Sequence, residues 1–375
     1  MSFQELPFLD VFKDVSGGNI KTPQKEFLEE GDIPVVDQGQ GLVAGFVNDR
    51  SRICNAKPPV IVFGDHTRTI KYVDFKFAMG ADGTKVLVPK VESDTKYLYY
   101  TLNSIEIPAA GYSRHYKFLK ETLIPFPPLA EQKRIAGILD EADALRAKRR
   151  ESLAQLDSLL QSTFLDMFGD PVTNPMGWDV VALGDVLDVK GGYAFKSTDY
   201  LEEGVGVPLI RIGEVNRCDF ESRKLAQLPA EYLEKFERFV VRNGSILMSL
   251  TGTVGKNDYG NAVTLKGDAD RYLLNQRVAE LIPGATLVAD YLQGVLSHER
   301  VKTILTGRSR GVRQANISNK DIQQLRGQLP PLDLQRRFAA IVESVEQQKL
   351  HQCAHLAELD TLFASLQSRA FRGDL

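Results

Sequence analysis

The chain has 375 residues, 43% hydrophobic and 25% charged, with 46 Lys and Arg against 49 Asp and Glu for a formal net charge of −3. This is the composition of a globular protein of two or more domains, and the balance of charge by itself gives no sign of a nucleic-acid partner. There is no apolar run of about eighteen residues to span a membrane, no secretory signal in MSFQELPFLDVFKDV, and no CxxC pair among Cys54, Cys218 and Cys353, so a cytoplasmic chain without membrane contact, disulfide framework or zinc site is expected.

Residues 1–126 read as a mixed α/β domain. The runs IPVVDQ, GLVAGFVN, PPVIVFG and TKVLVP are short, β-like and punctuated by Gly, Pro, Asp and Asn, and one short helix is expected near residues 97–103. Asp65-His66 at a strand end invites a catalytic reading, but no Ser or Cys nucleophile is marked out beside it. Residues 127–170 are helical, and FGDPVTNPMGW then turns the chain into a second α/β domain over residues 171–329, with β-like runs VPLIRIGEV, RFVVRNGSILMSL and QRVAELIP. Residues 251–256 lack the GxxxxGK[ST] spacing of a phosphate loop and read as a hairpin turn. Residues 330–375 are helical again; His351 and His355 share a face there, but Cys353 does not, and no metal site is expected.

The two helical segments are copies. Adding 203 carries Leu129 onto Leu332, Gln132 onto Gln335, Ile138 onto Ile341, Leu156 onto Leu359 and Phe168 onto Phe371. Apolar residues recur at three and four, as one stripe of a helix requires. A helix from Leu129 to Phe168 would be about 60 Å long at 1.5 Å per residue. Its natural partner is the other helix with the same stripe, antiparallel if the halves are related by a pseudo-two-fold axis. Ile135, Ile138, Leu145, Leu156 and Leu159 on the first helix and Phe338, Ile341, Leu359 and Leu362 on the second are the expected packing positions.

Charge distribution says more than its sum. Residues 300–320 hold Arg300, Lys302, Arg308, Arg310, Arg313 and Lys320 and no acid; residues 107–120 hold Arg114, His115, Lys117 and Lys120 and no acid. Both stretches precede a Pro-Pro-Leu that opens a long helix. One such stretch alone reads as a solvated loop, whereas two at matched places point to a shared use. The chain lacks an NPPF- or DPPY-like tetrapeptide, a glycine-rich dinucleotide fingerprint, a Walker loop and a paired-carboxylate-plus-lysine nuclease motif. It offers binding surfaces and no reaction centre.

LIPFPPLAEQKRIAGILDEAD at 123–143, its echo QLPPLDLQRRFAAIVE at 328–343, and the FGDP that closes the first helix resemble the specificity (S) subunits of type I restriction-modification enzymes, over essentially the whole chain. The second copy departs where Asp333-Leu334-Gln335 replaces Ala130-Glu131-Gln132. The resemblance implies an α/β (α+β) fold. Two target-recognition domains, 1–126 and 171–329, would alternate with spacer helices, 127–170 and 330–375, which pack as an antiparallel coiled coil. Each domain would read one half of a bipartite asymmetric site on double-stranded DNA, and the helices would set the spacer. Two methyltransferase (M) subunits would dock on the helices and bring S-adenosylmethionine. Restriction (R) subunits would join through them with ATP and Mg2+, leaving this chain with no cofactor and no catalytic residue. For DNA contact the acid-free stretches come first: Arg114, Lys117 and Lys120, then Arg308, Arg310 and Arg313, with Gln314 and Asn316 suited to adenine edges. Arg68, Lys71, Lys196 and Arg211 are second choices. The alternatives are a specificity subunit of a related phage-defence methylation system, and a coiled-coil protein adaptor without DNA readout.

Overall fold

The computed structural model describes residues 3–81, 83–108, 114–201, 205–254, 256, 258–307 and 314–375, with the backbone alone of Gln314. The chain divides into two compact units, Met1–Ser152 with Gln352–Leu375, and Leu153–His351.

In the first unit, β1 (Glu5–Pro7) is followed by α1 (Phe8–Val11) and β2 (Phe12–Asp14), then β3 (Ile33–Val36), β4 (Gly45–Val47), β5 (Val60–Gly64), β6 (Ile70–Val73), β7 (Ala78–Met79) and β8 (Thr84–Pro89). An antiparallel sheet of order β2-β8-β5-β6 lies beside a three-stranded sheet β4-β3-β7, in which β3 and β7 run parallel. β5 is buried along its whole length, which is why VIVFG reads as an unbroken apolar run. α2 (Thr95–Ser104) matches the short helix expected near residues 97–103; Asp94 caps it, accepting from the Tyr97 N–H at 2.8 Å. α3 (Tyr116–Leu119) and β9 (Leu123–Pro125), paired with β1, lead into α4 (Leu129–Phe168).

The second unit repeats this plan. It contains β10 (Asp179–Ala182), β11 (Leu187–Gly191), β12 (Val207–Ile210), α5 (Ile212–Arg217), β13 (Ala226–Leu228), α6 (Tyr232–Lys235), β14 (Val240–Val241), β15 (Ile246–Ser249), β16 (Thr251–Thr253), β17 (Ala262–Thr264), β18 (Tyr272–Leu274) and β19 (Val278–Pro283). Next come α7 (Ala289–Ser297), α8 (Glu299–Thr306), β20 (Gln314–Asn316), α9 (Asn319–Gln323), β21 (Arg326–Leu329) and α10 (Leu332–Arg372). Its sheet β11-β19-β15-β17 has the strand order of β2-β8-β5-β6, and its parallel pair β12/β18 stands where β3/β7 stands. The internal repeat therefore extends through the α/β domains. One expectation fails: VPLIRIGEV is not a single strand. β12 stops at Ile210 and α5 starts at Ile212, because the Glu214 carboxylate reaches back to accept from the Arg211 N–H at 2.9 Å and closes a helical first turn.

α4 and α10 pack antiparallel. In the first unit Arg146 Nε donates to Asp360 Oδ1 at 2.6 Å and Arg134 Nη2 to the Leu375 carbonyl at 2.8 Å; in the second, Lys349 Nζ lies 2.8 Å from Asp157 and the Phe338 ring meets Phe164 and Phe168. The seam is not the single buried stripe that the periodicity suggests. Ile135, Leu156 and Phe338 are buried and Ile138 and Leu359 half-buried, but Leu145, Leu159, Ile341 and Leu362 are exposed. Near their ends the helices bury apolar residues in an α/β core, α4 through Ile135, Ala136 and Leu139 in one unit and Phe164 and Phe168 in the other, α10 through Ala370 and Phe338, whereas the middle is held by charged pairs and two helices alone cover only a narrow face.

The motif that opens both helices has a definite structural task. Gln132 and Gln335 are each fully buried. Gln132 Oε1 accepts from the Asp94 N–H at 2.9 Å and its Nε2 donates to the Pro127 carbonyl at 2.9 Å. Gln335 Oε1 accepts from the Val288 N–H at 2.8 Å, and its Nε2 donates to Pro330 at 2.8 Å and Thr286 at 3.2 Å. Asp94 and Val288 are the N-caps of α2 and α7, so one buried amide in each half ties the long helix to a preceding helix of its α/β domain. The glutamine survives the drift from Ala-Glu-Gln to Asp-Leu-Gln, which falls on residues that are not buried. FGD has its reason as well: Gly169 adopts φ +76° to end α4, and a Cβ there would stand 2.6 Å from Pro175.

Candidate nucleic-acid interface

The acid-free stretch of the first unit is anchored at the end of β5. The His115 N–H donates to the Asp65 carbonyl at 2.8 Å, His115 Nδ1 lies 3.0 Å from the same oxygen, and the Tyr116 N–H donates to Asp65 Oδ1 at 2.7 Å. Asp65 and His115 are both buried. The Asp65 carboxylate is therefore an anchor for a returning loop, which is what its position beside His66 did not reveal. Arg114, Lys117 and Lys120 lie on the exposed side, the two lysines over the rings of Phe118 and Tyr116 at 4.7 and 5.0 Å. Arg68 joins this group: it takes φ +62° and its Nη1 donates to the Ile107 carbonyl at 3.0 Å, at the head of the stretch.

Lys71 does not belong with them. It is buried, its Nζ donates to the Asp37 carbonyl at 2.8 Å and lies 3.6 Å from the Asp37 carboxylate, and burial pulls its pKa below the usual lysine range against the opposing pull of Asp37. An ammonium so engaged has no face for a phosphate. Replacing Lys71 by alanine is expected to lower stability by about 1–3 kcal/mol, the cost of leaving its partners unsatisfied, with no change in the salt dependence of DNA binding; urea unfolding and a salt titration check the two halves of this expectation.

In the second unit the same backbone connection is made. The Ile317 N–H donates to the Leu250 carbonyl at 2.8 Å, just past β15, as His115 does to Asp65 just past β5; the Leu250 N–H in turn donates to the Arg277 carbonyl at 3.0 Å, where that of Asp65 donates to Gly83. β20 pairs antiparallel with β16, Thr251 opposite Asn316 and Thr253 opposite Gln314. Residues 251–253, expected in a hairpin turn, are thus one strand of a ribbon whose partner is distant in sequence, and the Asp258 carboxylate holds it by accepting from the Thr253 N–H and hydroxyl, both at 2.8 Å. Asn316 is exposed at the end of β20. Arg308, Arg310, Arg313 and the Gln314 side chain lie outside the described residues. Of the basic residues earlier in the stretch, Arg300 is paired with Asp170 at 2.6 Å, and burial lowers the pKa of Lys302. Asp170 itself is held down to about 2 by the Thr173 and Val172 N–H groups and by Arg300.

The second choices in this unit divide. Arg211 Nη2 is 3.1 Å from the buried Glu214 carboxylate, so its charge serves the start of α5. Lys196 is exposed beside Phe195, whose ring packs on Tyr193, Tyr232 and Phe236. Arg277 is exposed at the place where the first unit has Gly83, a correspondence that nothing in QRVAE marks out before the strands are aligned.

The type I restriction modification DNA specificity domain model matches twice, over residues 7–156 and 175–360. The chain belongs to that family. Within it, the chain is 27% identical over 245 residues to the type I restriction enzyme MjaVIII specificity subunit of Methanocaldococcus jannaschii, covering 61% of this chain and 56% of that protein. It is 23% identical over 291 residues to the EcoBI specificity subunit of Escherichia coli, of which it spans 59%, and 23% identical over 355 residues to the EcoR124I/EcoR124II specificity subunit of the same species, covering 91% of this chain and 86% of that one. The chain thus spans between half and two thirds of the first two relatives. Among solved structures, the S subunit of a type I restriction-modification system from M. genitalium matches 99% of this chain and 96% of its own at TM-score 0.56 and 17% identity, which establishes the specificity-domain fold. The two family segments each take in one α/β domain and part of a long helix, so the duplication read from the helices is a duplication of the specificity domain. No helix among the described residues is long and apolar enough to cross a membrane.

Proposed function

We propose that this chain is the DNA-specificity subunit of a type I restriction-modification complex, in which each α/β domain reads one half of a bipartite, asymmetric site. The observation that carries the reading is the matched anchor: in each unit a backbone N–H within the acid-free stretch donates to the residue just past the same strand, His115 to Asp65 and Ile317 to Leu250. Equivalent scaffolds therefore carry different side chains, Arg114, Lys117 and Lys120 in one and the 308–313 stretch with Gln314 and Asn316 in the other. Phosphate contacts supply affinity and position while base-edge contacts supply sequence, so two such scaffolds suit two different half-sites.

The 40 and 41 residues of α4 and α10 contribute to both units, which suits them to fix the unread spacer. Two methyltransferase subunits dock on these helices. Leu145, Leu359 and Leu362 line a groove of about 700 Å³ with Lys148, Arg149, His355 and Glu358, an apolar floor with a charged rim of the kind protein partners cover. S-adenosylmethionine belongs to those subunits, and ATP and Mg2+ to restriction subunits that join through them; this chain supplies the address and no catalytic group. Deleting four residues within 153–160 removes about 6 Å of helix and turns the rest of α4 by roughly 40°. The recognised spacer is expected to change while each half-site sequence is kept. An unchanged spacer, mapped by methylation of a site library, would contradict the ruler.

A further inference from the structure

The loop anchored by Asp65 forms one wall of a second cavity, of about 240 Å³, lined by Ser16, Gly17, Lys21, Asp65, Gly83, Thr84, Lys85 and Arg114. Its cations are set by buried neighbours. Lys21 precedes Thr22, which is fully buried and whose N–H donates to the Met79 carbonyl at 2.9 Å. Arg114 precedes His115, buried on Asp65. Lys85 projects from β8 between the buried Thr84 and Val86. The turn at Gly17 and Gly18 is held by Asn19, whose Nδ2 donates to the Val15 carbonyl at 2.9 Å and whose Oδ1 accepts from the Asn55 N–H at 2.8 Å. Nothing stands within 4 Å of a Cβ position on Gly17, so the backbone is bare at the rim.

The charges around the cavity select a ligand. Lys85 Nζ is 3.0 Å from Asp14, just outside the lining, and the buried Asp65, whose Oδ1 accepts from the Tyr116 N–H, is among the lining residues, so three cations stand against two carboxylates. Lys21 and Arg114 are exposed, and neither makes an ion pair among the described residues. One positive charge is left over, which matches a phosphodiester monoanion better than a free phosphate dianion. We infer that this cavity is a seat for one backbone phosphate of duplex DNA, gripped by Lys21 and Arg114, with Lys85 and the Ser16–Gly17 turn forming its floor. This rests on the DNA-binding reading above and adds a site to it: a register point for the first recognition domain, identical on every sequence, since phosphate contacts position the protein and carry no base information.

The test is binding of this chain, together with a methyltransferase subunit from its own system, to a pool of random-sequence duplexes across a salt series. Lys21→Ala and Arg114→Ala, both solvent-facing substitutions that leave the buried anchors in place, are each expected to flatten the log–log salt slope by about one unit and to weaken all retained sequences alike. Lys57→Ala, an exposed lysine outside the cavity lining, is expected to leave the slope unchanged. Parental slopes in both cavity variants, or flattening by Lys57→Ala as large as theirs, would overturn the seat while leaving the DNA-binding reading intact. Failure of the parent to bind duplex DNA at all would overturn the reading and the seat together.

Discussion

Replacing Phe168 by alanine is expected to destabilise the second unit by about 3–5 kcal/mol, the usual range for a fully buried phenylalanine. Phe168 is completely buried where α4 meets the α/β core: its ring lies 5.1 Å from Phe164, 4.7 Å from Tyr291 and 5.5 Å from Phe338. Those rings come from α4, α7 and α10, so the cavity left by the substitution opens at the junction of three helices. None of the neighbours can collapse into it freely, because Tyr291 is tied by its hydroxyl to the Gln328 carbonyl at 3.0 Å and the Phe168 carbonyl itself accepts from the Trp178 indole N–H at 3.0 Å. Urea unfolding with a probe on Trp178 measures the effect directly. A loss below about 1 kcal/mol, the scale of an exposed change, would mean that α4 is not seated on this core.

Gln335→Met keeps most of the side-chain volume and removes only the hydrogen-bonding atoms, and it is expected to lower stability by about 2–4 kcal/mol. The Val288 N–H and the Pro330 carbonyl would each lose a partner at 2.8 Å, at a place that water does not reach. Burying unsatisfied donors and acceptors costs more than the hydrogen bonds themselves contribute. The matching substitution, Gln132→Met, is expected to act by the same mechanism in the first unit, where the Asp94 N–H and the Pro127 carbonyl are the groups stranded. Gln335→Met as stable as the parent would show that the clasp between α10 and α7 is dispensable.

The long helices were legible in the sequence because they rest on local periodicity, and their antiparallel pairing because the same stripe occurs twice in halves related by a pseudo-two-fold axis. The glutamine of the Pro-Pro-Leu motif was visible as a repeated letter, but its use was not: its partners, Asp94 and Val288, lie 38 and 47 residues away. The duplication of the α/β domains came only as what the resemblance implies, because their strand order repeats although their residues do not align by eye. Distance also hid the ribbon of β16 and β20, since 251–253 looks like a turn until residue 316 is brought beside it. Lys71 misled for a different reason. A lysine inside the apolar strand β6 has the charge of a phosphate ligand, and only the presence of Asp37 behind it shows that the charge is already used. The exposed leucines at 145, 159 and 362 carry the opposite lesson: a helical stripe marks a face that can be covered, without saying that the other helix covers all of it.

If two scaffolds of one fold read two halves of a single DNA site, the retained sequences will show it. The full-length chain, together with a methyltransferase subunit from its own system, is incubated with a pool of random duplexes, and the bound fraction is sequenced. A split motif is expected, its two unlike halves separated by a fixed, unread gap, with Lys117→Ala and Lys120→Ala relaxing one half and Asn316→Ala relaxing the other. Retention of a single continuous motif, or of no motif at all with the partner present, would contradict the two-scaffold reading.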